Sequence, residues 1–113
     1  MLVRDVMSEK PVVVHATASV GDAAELLAEH TIRHLPVVEG DTLVGMLSDR
    51  DLRSLVTPRL VDESALTDLK ARYDSPVSEL MSPDVETVDP ETELGETIDK
   101  MLDLKVGALP VVD

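Results

Sequence analysis

Residues 3–39 and 77–113 are two copies of one pattern, related by a shift of 74 positions without a gap. Nine of the 37 aligned positions are identical: Val3/Val77, Met7/Met81, Ser8/Ser82, Val14/Val88, Gly21/Gly95, and the run Leu35-Pro36-Val37-Val38 over Leu109-Pro110-Val111-Val112. Unrelated segments of this composition share about three. Other pairs keep their chemistry, among them Asp5/Glu79, Val20/Leu94, Asp22/Glu96, Leu27/Met101 and Ile32/Val106. A repeat of this kind constrains architecture more than local propensity does, because a unit too small to bury its own apolar face must be completed by its twin.

Periodicity supplies the elements. Residues 11–15 form a short apolar run that predicts a buried strand, and Ser19-Val20-Gly21-Asp22 predicts a helix start with a hydroxyl cap and a carboxylate three residues on. Val20, Ala23, Ala24 and Leu27 then recur at helical spacing, as do Leu94, Thr97, Ile98 and Met101 in the second copy. An apolar strand is predicted after each helix, over 34–38 and 107–112. In the first copy the turn Glu39-Gly40-Asp41 leads to a hairpin strand over 42–48 and a short helix over about 49–55. The unit is strand, helix, strand, strand, helix, an α/β (α+β) pattern.

The organisation expected is a first motif over 1–56, a linker over 57–76 with a helix from Asp62 to Arg72, and a second motif over 77–113. Each half-core is marginal alone, so the copies are expected to pack sheet to sheet with pseudo-two-fold symmetry. The second copy stops at the counterpart of Glu39 and has no equivalent of residues 40–55. An uncovered apolar strand invites edge pairing, so the expectation is a fragment, or a neighbouring molecule covering that edge.

Charge narrows the function. Twenty-three acidic against ten basic residues give a formal net charge of −13. Such a surface repels phosphate backbones and anionic headgroups, and Tyr73 is the one aromatic, so no stacking platform exists for unpaired bases. Neither nucleic acid nor membrane is an expected partner. The longest apolar runs are a few residues, such as 12–14, and no cysteine is present; the chain reads as soluble and cytoplasmic.

Nothing in the sequence points to a catalytic residue. There is no cysteine nucleophile, glycine-rich phosphate loop or metalloprotease helix motif. His15, His30 and His34 make a three-histidine metal site conceivable. The expected helix ends between the last two, however, and isolated histidines are more often solvated or structurally hydrogen-bonded, so no metal site is expected. One stretch departs from the acidic background. Residues 30–59 hold Arg33, Arg50, Arg53 and Arg59 against Glu39, Asp41, Asp49 and Asp51, a formal charge of zero. That balance suits either a site for a small anion or a set of surface ion pairs. Within it, residues 45–51 run from a strand into a helix start. Ser48 can cap that helix or face a phosphate, and Asp51 three residues on fits an ordinary capping box equally well.

The repeat, the two h-P-V-V strands, the two V-x-x-h-M-S openings and the single G-h-h-S-x-x-D together resemble the cystathionine β-synthase (CBS) domain pair, or Bateman module. The resemblance covers nearly the whole chain, with the second motif ending early. It implies a non-catalytic sensor that binds AMP, ADP, ATP or S-adenosylmethionine in clefts between motifs and needs no cofactor. By that resemblance Asp51 is the ribose-binding carboxylate and Ser48 faces the phosphates. Pro11, Val12 and Val13, with the segment from Ile32 to Pro36, hold the adenine. Arg33, His34 and Arg50 flank the same place and are our additions as neutralisers of phosphate charge. The resemblance further implies a homodimer and an effector domain beyond residue 113. The contrasting reading is a scaffold that keeps the fold, dimerises and binds nothing.

Overall fold

The computed structural model describes residues 1–55 and 63–112. Two compact units result: Val12–Asp84, and Met1–Pro11 together with Val85–Asp113.

The larger unit is built on a four-stranded sheet in the order β1-β2-β3-β4, with β1 at Val14–His15, β2 at His34–Glu39, β3 at Thr42–Ser48 and β4 at Ser82–Pro83. The ten-residue helix α1, Val20–Glu29, starts where Ser19 Oγ accepts from the Asp22 amide at 3.0 Å, so the predicted cap forms. Its buried face is Val20, Ala23 and Leu27. The hairpin β2–β3 turns through Gly40-Asp41, with Gly40 at φ +59°, a conformation that glycine adopts without a Cβ clash. Along it Leu35, Val37 and Leu47 are fully buried, and they join Val14, Ala16, Ala23, Leu27 and Val77 in one core. Gly45 faces β4 so closely that a Cβ there would lie 2.9 Å from the Ser82 carbonyl oxygen. Helix α2, Asp49–Arg53, follows β3 directly, and α3, Glu63–Asp74, lays Tyr73 against Gly21 of α1. Of the linker helix expected from Asp62 to Arg72, Asp62 lies outside the described residues, as does Arg59 of the arginine-bearing stretch.

The smaller unit carries helix α4, Leu94–Leu104, whose start at Glu93 lacks a side-chain cap. Its buried residues are Val3, Val88 and Thr97.

Two predicted strands come out shorter than expected. The first, over 11–15, is reduced to β1. The parallel pairing Val14↔Val37 extends toward residue 12 only if position 36 donates an N–H, and Pro36 has none. The second, over 107–112, is no strand at all: it makes a single parallel bridge, Val88↔Val111, with the Val88 amide donating to Pro110 O at 3.1 Å and the Val112 amide to Val88 O at 2.9 Å. In the first copy β3 pairs with β2 from His34↔Ser48 to Glu39↔Thr42, and residues 107–112 have no such partner among the described residues.

Sequence copies and compact units do not coincide, because the opening of each copy packs on the body of the other. In the larger unit the Val77 amide donates to Ala18 O at 2.8 Å, Ser78 to Ala16 O at 3.2 Å, and Val20 to Ser75 O at 2.9 Å. In the smaller unit the amides of Val3, Arg4 and Leu94 donate to Thr92, Pro90 and Met1, each at 2.9 Å. These are the same three bonds displaced by 74 residues. The openings form single 3-10 turns, Val3–Asp5 and Val77–Glu79, and each drives its valine into the other copy's body: Val77 is fully buried and Val3 nearly so.

Candidate functional site

The corner where β3 passes into α2 collects most of the residues singled out by sequence. His34 and Ser48 are directly opposed across the hairpin, and the Asp49 amide donates to Arg33 O at 2.9 Å, so positions 33–34 and 48–49 are stitched together by backbone alone. Pro36 stands opposite Met46 one step along. Because strand residues alternate, His34 and Pro36 share the face of β2 away from buried Leu35 and Val37, and both are half-buried.

Ser48 and Asp51 bond reciprocally. The Ser48 amide donates to Asp51 Oδ2 at 2.9 Å, and the Asp51 amide donates to Ser48 Oγ at 3.2 Å. This capping box arises from the spacing S-x-x-D at the end of a strand. It leaves capacity on both side chains: a carboxylate has about four lone-pair sites, and a hydroxyl that accepts one bond can still donate its own proton.

Charges at the corner are sorted rather than scattered. Arg53 Nη2 lies 2.6 Å from Asp49 Oδ2, one helical turn apart. The hydrogen bond from the Arg53 guanidinium holds the Asp49 carboxyl below the usual carboxylate range, with the positive charges of Arg53 and Arg33 adding to the effect. Arg33 and Arg50 are exposed and make no ion pair among the described residues.

The adenine-side candidates divide. Ile32 is half-buried against the core, and its amide donates to Leu27 O at 3.1 Å, which fixes the chain as it leaves α1. Val12 also packs on the core, whereas Val13 is 42% exposed. Pro11 is exposed and is the last residue of the first segment of the other unit. Of the histidines considered for a metal, His15 Nδ1 lies 2.9 Å from Thr17 Oγ1, and among the described residues no group of three or more His, Cys, Asp or Glu is placed to hold an ion. No helix among them is long and apolar enough to cross a membrane.

Sequence reading missed the commitment of Asp49 to Arg53, although their i,i+4 spacing signals it. It also missed β4 and the exchange of openings. The identities Val3/Val77 and Met7/Met81 marked those openings as important without saying which body each would serve.

The profile of the CBS domain matches residues 3–57 and 77–113. The chain is 31% identical over 111 residues to the CBS domain-containing protein YhcV of Bacillus subtilis, covering 98% of this chain and 72% of that protein. It spans only 19–20% of several longer curated relatives that are named for enzyme activities. Among solved structures, CBSX2 of Arabidopsis thaliana in complex with AMP is 36% identical with a TM-score of 0.80, over 99% of this chain and 81% of that one. The CBS domain pair of protein MJ0100 in complex with 5′-methylthioadenosine and S-adenosyl-L-methionine is 27% identical with a TM-score of 0.77, over 100% and 81%.

Proposed function

Because the chain belongs to the CBS domain family, we propose that it is a regulatory module that binds an adenosine-containing ligand at the corner formed by β2, β3 and α2. The observation that carries this reading is the Ser48–Asp51 box, a carboxylate and a hydroxyl held rigid by each other with bonding capacity to spare. In it Asp51 accepts from the two ribose hydroxyls and Ser48 donates toward phosphate. Ile32, Pro36, Val12 and Val13 offer aliphatic surface and backbone groups to the adenine, while Arg33, His34 and Arg50 meet phosphate charge. The ligand is AMP, ADP, ATP or S-adenosylmethionine, and no bond is made or broken. In this reading the chain acts as a homodimer in the cytoplasm. Signalling is by linkage: a ligand that prefers one arrangement of the two motifs shifts their population, and an effector domain or partner responds.

Calorimetric titration with AMP, ATP and S-adenosylmethionine tests the reading, with binding of at least one expected. Asp51→Ala removes the ribose acceptor and weakens binding at least about tenfold, the worth of one charge-assisted hydrogen bond. Since it also removes the cap, Asp51→Asn is the companion: its side-chain oxygen can still accept from the Ser48 amide, while its amino group cannot accept from ribose. The box is also complete without a ligand, which favours the scaffold reading. Silence from all three compounds would support that reading and defeat the sensor.

A further inference from the structure

We propose that this corner selects an anionic, phosphate-bearing adenosine ligand and discriminates against a cationic sulfonium one. The inference rests on the binding role given above and adds the charge class of the ligand.

Three observations carry it. First, the two segments that meet here, residues 32–36 and 48–53, hold Arg33, Arg50 and Arg53 against Asp49 and Asp51, a formal +1 inside a chain of −13. Second, the two carboxylates are not equally available. Asp49, which would attract a sulfonium or ammonium group, is held at 2.6 Å by Arg53. Asp51 has one oxygen committed to the Ser48 amide. Third, Arg33 and Arg50 are exposed without an ion pair among the described residues; Arg33 acts on Asp49 through its charge alone, and it is anchored at the corner through its own carbonyl, 2.9 Å from the Asp49 amide. His34, the first residue of β2, follows Arg33 directly and lies opposite Ser48. A ligand phosphate at this corner therefore has two exposed guanidinium groups, unpaired among the described residues, to recruit, whereas a sulfonium meets the same positive charge as repulsion.

Like-for-like ligands on the whole 113-residue chain provide the test. Adenosine, AMP and S-adenosylmethionine are titrated by calorimetry at low and at raised salt. The expected result is AMP bound at least about tenfold more tightly than adenosine at low salt, the worth of one charge-assisted contact, with S-adenosylmethionine weaker than AMP and the AMP advantage shrinking as salt rises. In the double variant Arg33→Gln/Arg50→Gln the ratio of AMP to adenosine affinity falls toward one. Arg53→Gln, which releases the Asp49 carboxylate, lowers AMP affinity and raises that of S-adenosylmethionine. S-adenosylmethionine binding as tightly as AMP, or an AMP advantage that survives the double variant, would overturn the charge inference and leave the adenosine site standing. Failure of adenosine itself to bind, along with the other two, would instead overturn the site.

Discussion

The two copies share their backbone devices and differ in their burial. At the end of α1, Thr31 takes φ +54°, its amide donates to Ala28 O at 3.3 Å, and the Ile32 amide donates to Leu27 O at 3.1 Å. At the end of α4, Lys105 takes φ +57°, with bonds to Leu102 O at 3.3 Å and from Val106 to Met101 O at 3.1 Å. Both are Schellman ends built without glycine, reproduced at a displacement of 74 residues. Burial is not reproduced. Leu35 and Val37 are sealed, whereas Leu109 and Val111 are half-buried. Ile98 and Leu102 are 47% and 70% exposed where the first copy has Ala24 and Ala28. Local sequence is enough to repeat a cap or a turn, but a strand's inner face is buried only when other elements close over it, and in the first copy β3 pairs along β2 while Leu52 of α2 packs on the same core.

The largest test of this contrast is a matched pair of truncations. Leu35→Ala should cost about 3 kcal/mol, in the range for a sealed core leucine, and Leu109→Ala about 1 kcal/mol or less, both read by urea unfolding. Equal costs would mean that the second copy is packed as well as the first. Next come the left-handed helix ends. Thr31→Gly removes a β-branched side chain from a conformation that penalises it and should stabilise by about 0.5–1 kcal/mol; Lys105→Gly, unbranched, should gain about half as much.

The equivalent helix glycines sharpen the comparison further. Gly95 has nothing within 4 Å of where a Cβ would sit, so Gly95→Ala should stabilise α4 by about 0.5 kcal/mol or slightly more. The same Cβ on Gly21 would meet Tyr73 Cδ1 at 3.1 Å, so Gly21→Ala should lose that benefit. A gain at both sites would show that α3 yields easily. The smallest effect concerns Asp49, which has no counterpart among the described residues. Its folded-state carboxyl titrates below the unfolded value, so the stability it adds is present above the unfolded value and is lost as pH falls through the folded one. Arg53→Gln should raise the Asp49 titration midpoint toward the ordinary carboxylate value, followed by NMR.

What the sequence made legible was largely local. Ser19 before an apolar helix and the strand over 42–48 each depend on neighbours within a few positions, and each forms as expected; the turn expected over Glu39-Gly40-Asp41 forms one residue shorter, since β2 runs through Glu39. The corner with Ser48 and Asp51 was legible for the same reason, since a strand ending in S-x-x-D closes on itself. The loss of strand at 11–13 turned on a missing N–H at Pro36, some two dozen residues away in sequence. The exchange of openings turned on contacts separated by most of the chain, as in Val3 with Thr92. A repeat announces that such pairings exist. Telling self-pairing from cross-pairing needs the closure of those long loops, which no window of sequence reports.

That exchange sets an order of assembly. Met1, Val3 and Arg4 take their partners from residues 90–94, so these residues leave the ribosome well before the segment they pair with. At a synthesis rate of about 5–20 residues per second they wait several seconds, unpaired, while α1 and the hairpin are already able to form. A cut between the copies would separate each body from the turn that plugs it, leaving Val77 with one piece and the pocket that holds it with the other.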